Sequence, residues 1–268
     1  MTIQLRAGGP PRRKRFGQHF LHDPAVIDRI VGAVDPQPGD RLVEIGPGRG
    51  ALTRRLLAAA SRPGHLDVIE IDRDLARLLQ TEAEPAANLT VHVADALHFD
   101  FGALAGERGG PLRIIGNLPY NISTPLLFHL LGHRQALTDM HVMLQREVIA
   151  RMAAKPGDDD YGRLTVMLAP WVSVQRLFDV GPGAFKPPPR VWSAVAKLTV
   201  RSTPAFPVSE HFAAVVASAF THRRKTLRNS LRDLVGPEQI EAAGLDPGAR
   251  PETCPPEAFN ALAQKIVR

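Results

Sequence analysis

Arg41-Leu42-Val43-Glu44-Ile45-Gly46-Pro47-Gly48-Arg49-Gly50 decides how this chain is read. Its first half is a short run with the length and apolar content of a strand. Its second half places glycines at alternate positions, and a helix is expected to follow over 51–60. Glycine lets a backbone turn tightly and approach a ligand with no Cβ in the way. In an open α/β sheet, ligands bind at the carboxyl ends of the strands. Strand, glycine turn and helix in that order therefore mark one wall of a binding site. The spacing is G-x-G-x-G, not the G-x-G-x-x-G of dinucleotide sites.

The alternation continues on both sides of this stretch. Helices are expected over 25–34, 73–82, 125–131 and 147–154, and strands over 65–71, 89–93, 112–115 and 140–144. Two late strands, 172–178 and 193–200, have no long helix between them and point to an antiparallel edge. Such alternation argues for a mostly parallel sheet with helices on both faces. After a proline-containing break at 202–207 only helices are expected, over 209–219, 226–234, 238–243 and 257–267. The expected organisation is a basic arm (1–16), an α/β catalytic domain (17–201) and a smaller all-α domain (202–268).

Composition narrows the function classes. The chain has 268 residues, 44% of them hydrophobic and 22% charged, as in an ordinary soluble protein. No apolar run is long enough to span a bilayer, so no membrane role is expected. A lone cysteine, Cys254, excludes an intrachain disulfide framework and a zinc-thiolate cluster, and no metal is expected. A reducing, cytoplasmic setting fits. The first residues lack the apolar core of a secretory signal but carry Arg6, Arg12, Arg13, Lys14 and Arg15. A transit peptide can look like this; the Pro-Pro break and short length favour an arm that touches nucleic acid. The net charge of +6 is unevenly placed. In Thr221-His222-Arg223-Arg224-Lys225-Thr226-Leu227-Arg228-Asn229-Ser230-Leu231-Arg232 there is no acid to offset the cations. A solvated helix face is the ordinary explanation of a charge run, but an unbroken basic patch is also the footprint of a polyanion partner.

Several polar residues follow the expected strands. Glu70 ends the second, where an acid accepts from ribose hydroxyls, with Asp72 as a competitor. Asp95 follows the third, as an acceptor for the amino group of an adenine or as a cap or turn residue. Asn117-Leu118-Pro119-Tyr120 follows the fourth. Asn offers an acceptor and donors in one plane, Pro fixes the turn, and Tyr offers a face on which a base can stack. A nucleoside cofactor without a pyrophosphate suits this set, and S-adenosyl-L-methionine is the expected one. The reaction is then methyl transfer to an exocyclic nitrogen.

These residues carry a resemblance to the ribosomal RNA adenine dimethyltransferases, and within them to the bacterial small-subunit branch. The matching motifs are Gly17-Gln18-His19-Phe20-Leu21, Val43 to Gly48, Val68-Ile69-Glu70-Ile71-Asp72, Gly116 to Pro125, Tyr161-Gly162-Arg163-Leu164, Phe185-Lys186-Pro187-Pro188-Pro189-Arg190-Val191 and Arg223 to Asn229. Many relatives have Asn where this chain has His19. The resemblance implies a Rossmann-like class I methyltransferase sheet with a helical C-terminal domain. It implies dimethylation of N6 on two adjacent adenines near the 3′ end of 16S ribosomal RNA, by a monomer acting on an immature small subunit. His19, Leu21, Gly46, Gly48, Glu70, Asp95 and Asn117 would bind the cofactor. Asn117, Leu118, Pro119, Tyr120 and Phe185 would form the catalytic set, with Phe185 stacking on the target base opposite Tyr120. Arg223, Arg224, Lys225 and Arg228 would hold RNA phosphates.

Three other readings compete. They are a methyltransferase for another nucleic acid, a non-enzymatic ribosome-assembly factor on the same fold, and a nicotinamide-linked dehydrogenase. The glycine spacing disfavours the last.

Overall fold

The computed structural model describes residues 19–59, 63–83, 88–222 and 224–266. The expected arm at 1–16, Gly17, Gln18 and Arg223 lie outside the described residues. The chain divides into two compact units, Met1–Arg146 with Leu177–Leu198, and Glu147–Arg176 with Thr199–Arg268.

Strands and helices alternate from the start: β1 (Phe20–Leu21), α1 (Pro24–Val34), β2 (Arg41–Ile45), α2 (Ala51–Leu57), β3 (His65–Glu70), α3 (Arg73–Ala83) and β4 (Leu89–Val93). Then come α4 (Phe101–Glu107), β5 (Leu112–Asn117), α5 (Ser123–Gly132), β6 (Leu137–Gln145), α6 (Arg146–Ala153), α7 (Arg163–Leu168), β7 (Val172–Val180), β8 (Phe185–Lys186) and β9 (Ser193–Val200). A seven-stranded sheet has the order β4-β3-β2-β5-β6-β9-β7. The pairs β2–β3, β3–β4, β2–β5 and β5–β6 are parallel. The two late strands lie together at one edge. A separate antiparallel pair joins β1 to β8, with Phe20 opposite Lys186 and Leu21 opposite Phe185.

This order positions the site. From β2 the chain steps outward through β3 to β4, then returns to place β5 on the other side of β2. The reversal lies between β2 and β5, and a crevice opens at the carboxyl ends of such strands. β2 ends in the glycine loop and β5 ends in Asn117. Leu42, Leu66, Val68 and Ile115 fill the core here against Leu52 and Leu56 of α2 and Ile30 and Val34 of α1. Helix α1 starts where Asp23 accepts from the Ala25 and Val26 amides, with Pro24 at its first position. Its buried residues Ile27, Ile30 and Val34 recur at helical spacing.

The structure adds α4, for which no helix was expected. Its signal was Asp100, whose carboxylate accepts from the Ala103 amide at 2.9 Å. α7 and the β1–β8 pair were also not anticipated. Beyond β9, α8 (Phe212–Ala219), α9 (Leu227–Ser230) and α11 (Pro256–Ala263) are shorter than expected, whereas α10 (Pro237–Ala242) has the expected length one residue earlier.

The second unit is not simply the chain after residue 201. Glu147–Arg176 groups with the late helices, because Tyr161 and Val166 are buried with Phe212, Val215, Leu227, Phe259 and Leu262. The Tyr161 hydroxyl donates to the Cys254 carbonyl at 2.8 Å.

Candidate functional site

A cavity of about 300 Å³ opens at the β2–β5 switch. Its wall is built from the ends of four neighbouring strands and from β1. The residues are His19, Phe20 and Leu21; Glu44 to Arg49; Ile69 to Ile71; Ala94 to Leu97; and Asn117 to Ile122, with Ala51 and Leu52 of α2. Of the expected cofactor residues, His19, Leu21, Gly46, Gly48, Glu70, Asp95 and Asn117 all line it.

The glycine loop is shaped by backbone demands. Gly46, Gly48 and Gly50 have φ of 68°, 57° and 74°, in the left-handed region that disfavours side chains. At Gly48 a Cβ would also meet the Phe20 ring at 3.0 Å. Glu70 braces the loop: it is 4% exposed, and its carboxylate accepts from the Gly48 amide at 3.2 Å and the Asp72 amide at 2.9 Å. Burial raises its pKa above the usual carboxylate value, against the pull of those backbone bonds. Asp72 is buried, accepts from the Asp74 amide at the start of α3, and does not line the cavity. Glu70 is therefore the acid of this pair that faces the cavity.

Asp95 takes the turn role and also lines the cavity. One oxygen closes a turn by accepting from the Leu97 amide at 2.9 Å, and the other lies 3.4 Å from His98 Nδ1. The residue still forms part of the wall.

Asn117 sits where β5 ends. Its side-chain nitrogen donates to the His19 carbonyl at 3.1 Å. The planar amide is thereby oriented, and its oxygen is the atom left to accept from a ligand. The Leu118 amide donates to Met143 O at 3.1 Å, anchoring the turn to β6. The Tyr120 hydroxyl meets Ser193 Oγ at 2.6 Å, which fixes the phenol. Burial raises the pKa of that hydroxyl, so the ring presents a neutral face. His19 stacks on it, with centroids 6.1 Å apart and planes inclined by 28°. The His19 Nδ1 lies 2.8 Å from the Pro187 carbonyl, so Nδ1 carries the hydrogen.

Phe185 is a correction. It is 2% exposed, belongs to the core beneath β1, and is absent from the cavity wall. A two-residue strand opposite Leu21 turns its side chain inward, so it supports the wall instead of offering a face to a base. The basic run is also rearranged. Arg228 lies in the short α9, whereas Arg224 and Lys225 precede it in a turn. Arg224 and Arg228 are exposed and Lys225 is partly so.

Phe20 and Glu44, which carry no assigned role above, also line the wall. Phe20 packs over the glycine loop with the Arg49 guanidinium 5.0 Å from its ring centre. Glu44 is 2% exposed and accepts from the Thr53 hydroxyl at 2.6 Å. Burial, reinforced by the neighbouring Glu70 and opposed by the Thr53 bond, pushes its pKa up to about 7. Its position inside the glycine motif was legible; its burial was not.

A cavity at the switch point of a mostly parallel sheet, bounded by a glycine loop, a buried acid and an amide–proline–aromatic turn, is the arrangement of an α/β methyltransferase. The chain matches the ribosomal RNA adenine dimethylase family over residues 11–267, and it belongs to that family. It is 52% identical over 256 residues to the ribosomal RNA small subunit methyltransferase A of Pseudomonas aeruginosa, covering 95% of this chain and 94% of that one. Among solved structures it is similar to the 23S rRNA methyltransferase ErmE, with a TM-score of 0.71, 28% identity and coverage of 92% and 99% of the two chains. It is also similar to a dimethyladenosine transferase from Plasmodium falciparum, with a TM-score of 0.75, 25% identity and coverage of 91% and 96%.

Proposed function

We infer that this chain dimethylates N6 of two adjacent adenines near the 3′ end of 16S ribosomal RNA, using S-adenosyl-L-methionine. The observation that carries the reading is the committed amide of Asn117: with its nitrogen held by His19 O, its oxygen is fixed as an acceptor at the cavity wall.

The cavity residues fit the cofactor. Glu70 is buried with lone pairs to offer ribose hydroxyls, Asp95 stands one strand further for the adenine, and the left-handed conformations of Gly46 and Gly48 let the loop backbone itself form the wall. When bound, S-adenosylmethionine supplies a methyl group already activated on a sulfonium, with a neutral leaving group. The chain's tasks are then orientation and electronic bias. Asn117 Oδ1 and the Leu118 carbonyl accept the N6 hydrogens, which draws the nitrogen toward a tetrahedral shape and aims its lone pair. Tyr120 holds the plane of the base; such stacking contributes about 1–3 kcal/mol. Extruding the base from RNA costs a few kcal/mol, so most of the acceleration comes from positioning.

In this reading the sheet unit binds cofactor and target base, and Arg224, Lys225 and Arg228 of the helical unit meet phosphates. The chain acts as a cytoplasmic monomer on a small subunit still being assembled.

Mass spectrometry of small-subunit RNA from cells with and without the protein tests this. The dimethylated adenines should vanish without it and return with the wild-type chain. Asn117→Ala should fail to restore them, with transfer reduced at least about 100-fold, while calorimetry still detects cofactor binding. Persistence of the modification in cells lacking the protein would overturn the activity. Near-normal transfer by Asn117→Ala would overturn the role of the amide.

A further inference from the structure

Trp192 is 50% exposed, and Val191 before it is 44% exposed. The residue after it is the opposite. Ser193 is fully buried and its hydroxyl lies 2.6 Å from Tyr120 OH, on the cavity wall. Consecutive Cα atoms are about 3.8 Å apart, so Trp192 adjoins the residue that holds the hydroxyl of the cavity-lining Tyr120.

The indole is held in place. A Cβ at Gly181 would meet Trp192 Cη2, Cζ3 and Cζ2 at 3.6–3.9 Å, so the six-membered ring rests against that glycine. The Arg146 amide donates to the Trp192 carbonyl at 2.9 Å. The Arg146 guanidinium stands 5.9 Å from the ring centre, within the range of a cation–π contact. Pro187, Pro188 and Pro189 stiffen the approach to Trp192. A rigid exposed indole beside a cation is a poor surface for water and a good one for a base with its phosphate.

The geometry points to Trp192 as the stacking platform for the nucleobase next to the target adenine in the same RNA strand, with Arg146 beside it for the backbone. This rests on the reading of the cavity as an RNA adenine methylation site. Extruding the target leaves its neighbour with one unstacked face; the indole replaces the lost stack. Trp192 therefore sets which single-stranded context is accepted, a task separate from holding the methyl acceptor.

The test uses the full chain and small subunits lacking the modification. Trp192→Ala should raise KM for subunits about tenfold, with cofactor affinity and melting temperature unchanged, and Trp192→Phe should recover most of the loss. Subunits reconstituted with an abasic nucleotide beside the target should cost the wild type a similar factor and cost Trp192→Ala little more. In a Trp171→Phe background, where Trp192 is the remaining tryptophan, its fluorescence should be quenched on binding. Unchanged KM for Trp192→Ala overturns the proposal. So does an abasic penalty equal in both proteins, which would assign the indole to a ribosomal protein instead, and so does a loss accompanied by a lower melting temperature. If the wild type transfers no methyl at all, the underlying activity fails instead.

Discussion

Replacing Glu44 with glutamine isolates the effect of one buried carboxyl. Glu44 is fully enclosed, and burial lifts its pKa from an ordinary 4.5 to about 7. The native state keeps its proton where the unfolded chain has lost it. Unfolding free energy therefore falls as pH rises from about 4.5, and the loss is complete above about 7. The window corresponds to about 3 kcal/mol from this group. Glutamine cannot ionise and keeps an oxygen for the Thr53 hydroxyl. Denaturant unfolding of both proteins from pH 4 to 8 gives the difference directly, and slopes from other groups cancel. Wild type should fall behind Glu44→Gln progressively across the window, by about 3 kcal/mol at its end. A difference independent of pH would refute the claim that this carboxyl is neutral in the native state. The same carboxyl lines the cavity. A cationic ligand there should release a proton near pH 7, read as a dependence of binding heat on buffer ionisation enthalpy.

Two further tests address the backbone and the RNA contact. Gly116→Ala places a Cβ 2.7 Å from the Ile45 carbonyl oxygen; it should cost about 1–3 kcal/mol in chemical denaturation and weaken cofactor binding. Gly106→Ala, with nothing within 4 Å of the new Cβ, should be neutral or stabilising. Removing the charges of Arg224 and Arg228 should flatten the plot of log RNA affinity against log salt by about 0.7 per charge if they meet single-stranded phosphates; an unchanged slope would exclude them from the contact.

Local chemistry made part of this molecule legible. The run Arg41–Ile45 has strand length and ends in glycines, and the structure reproduces its bounds. Leu89–Val93 and Ser193–Val200 were read with the same precision. Glu70 and Asp95 follow strands, and parallel strands bring their carboxyl ends together, so strand order sufficed to gather them. Contacts between distant segments were not legible. Asn117 and His19 are 98 positions apart, and neither carries a local signal of the other. Phe185 illustrates the cost of that limit: a motif fixes residue type, but the β1–β8 register decides which way the ring points. The expected helix over 226–234 was too long because a basic, polar run has no periodicity to mark where packing ends.

The pairing of β1 with β8 has a temporal consequence. Asn117 is aimed by the His19 carbonyl, and His19 immediately precedes a strand whose partner is Phe185–Lys186. During synthesis the glycine loop, Glu70 and Asn117 all leave the ribosome before that partner does. The carbonyl that aims Asn117 is therefore seated only after residues 185–186 have been made, so the aim of the amide is among the last features of the cavity to be completed.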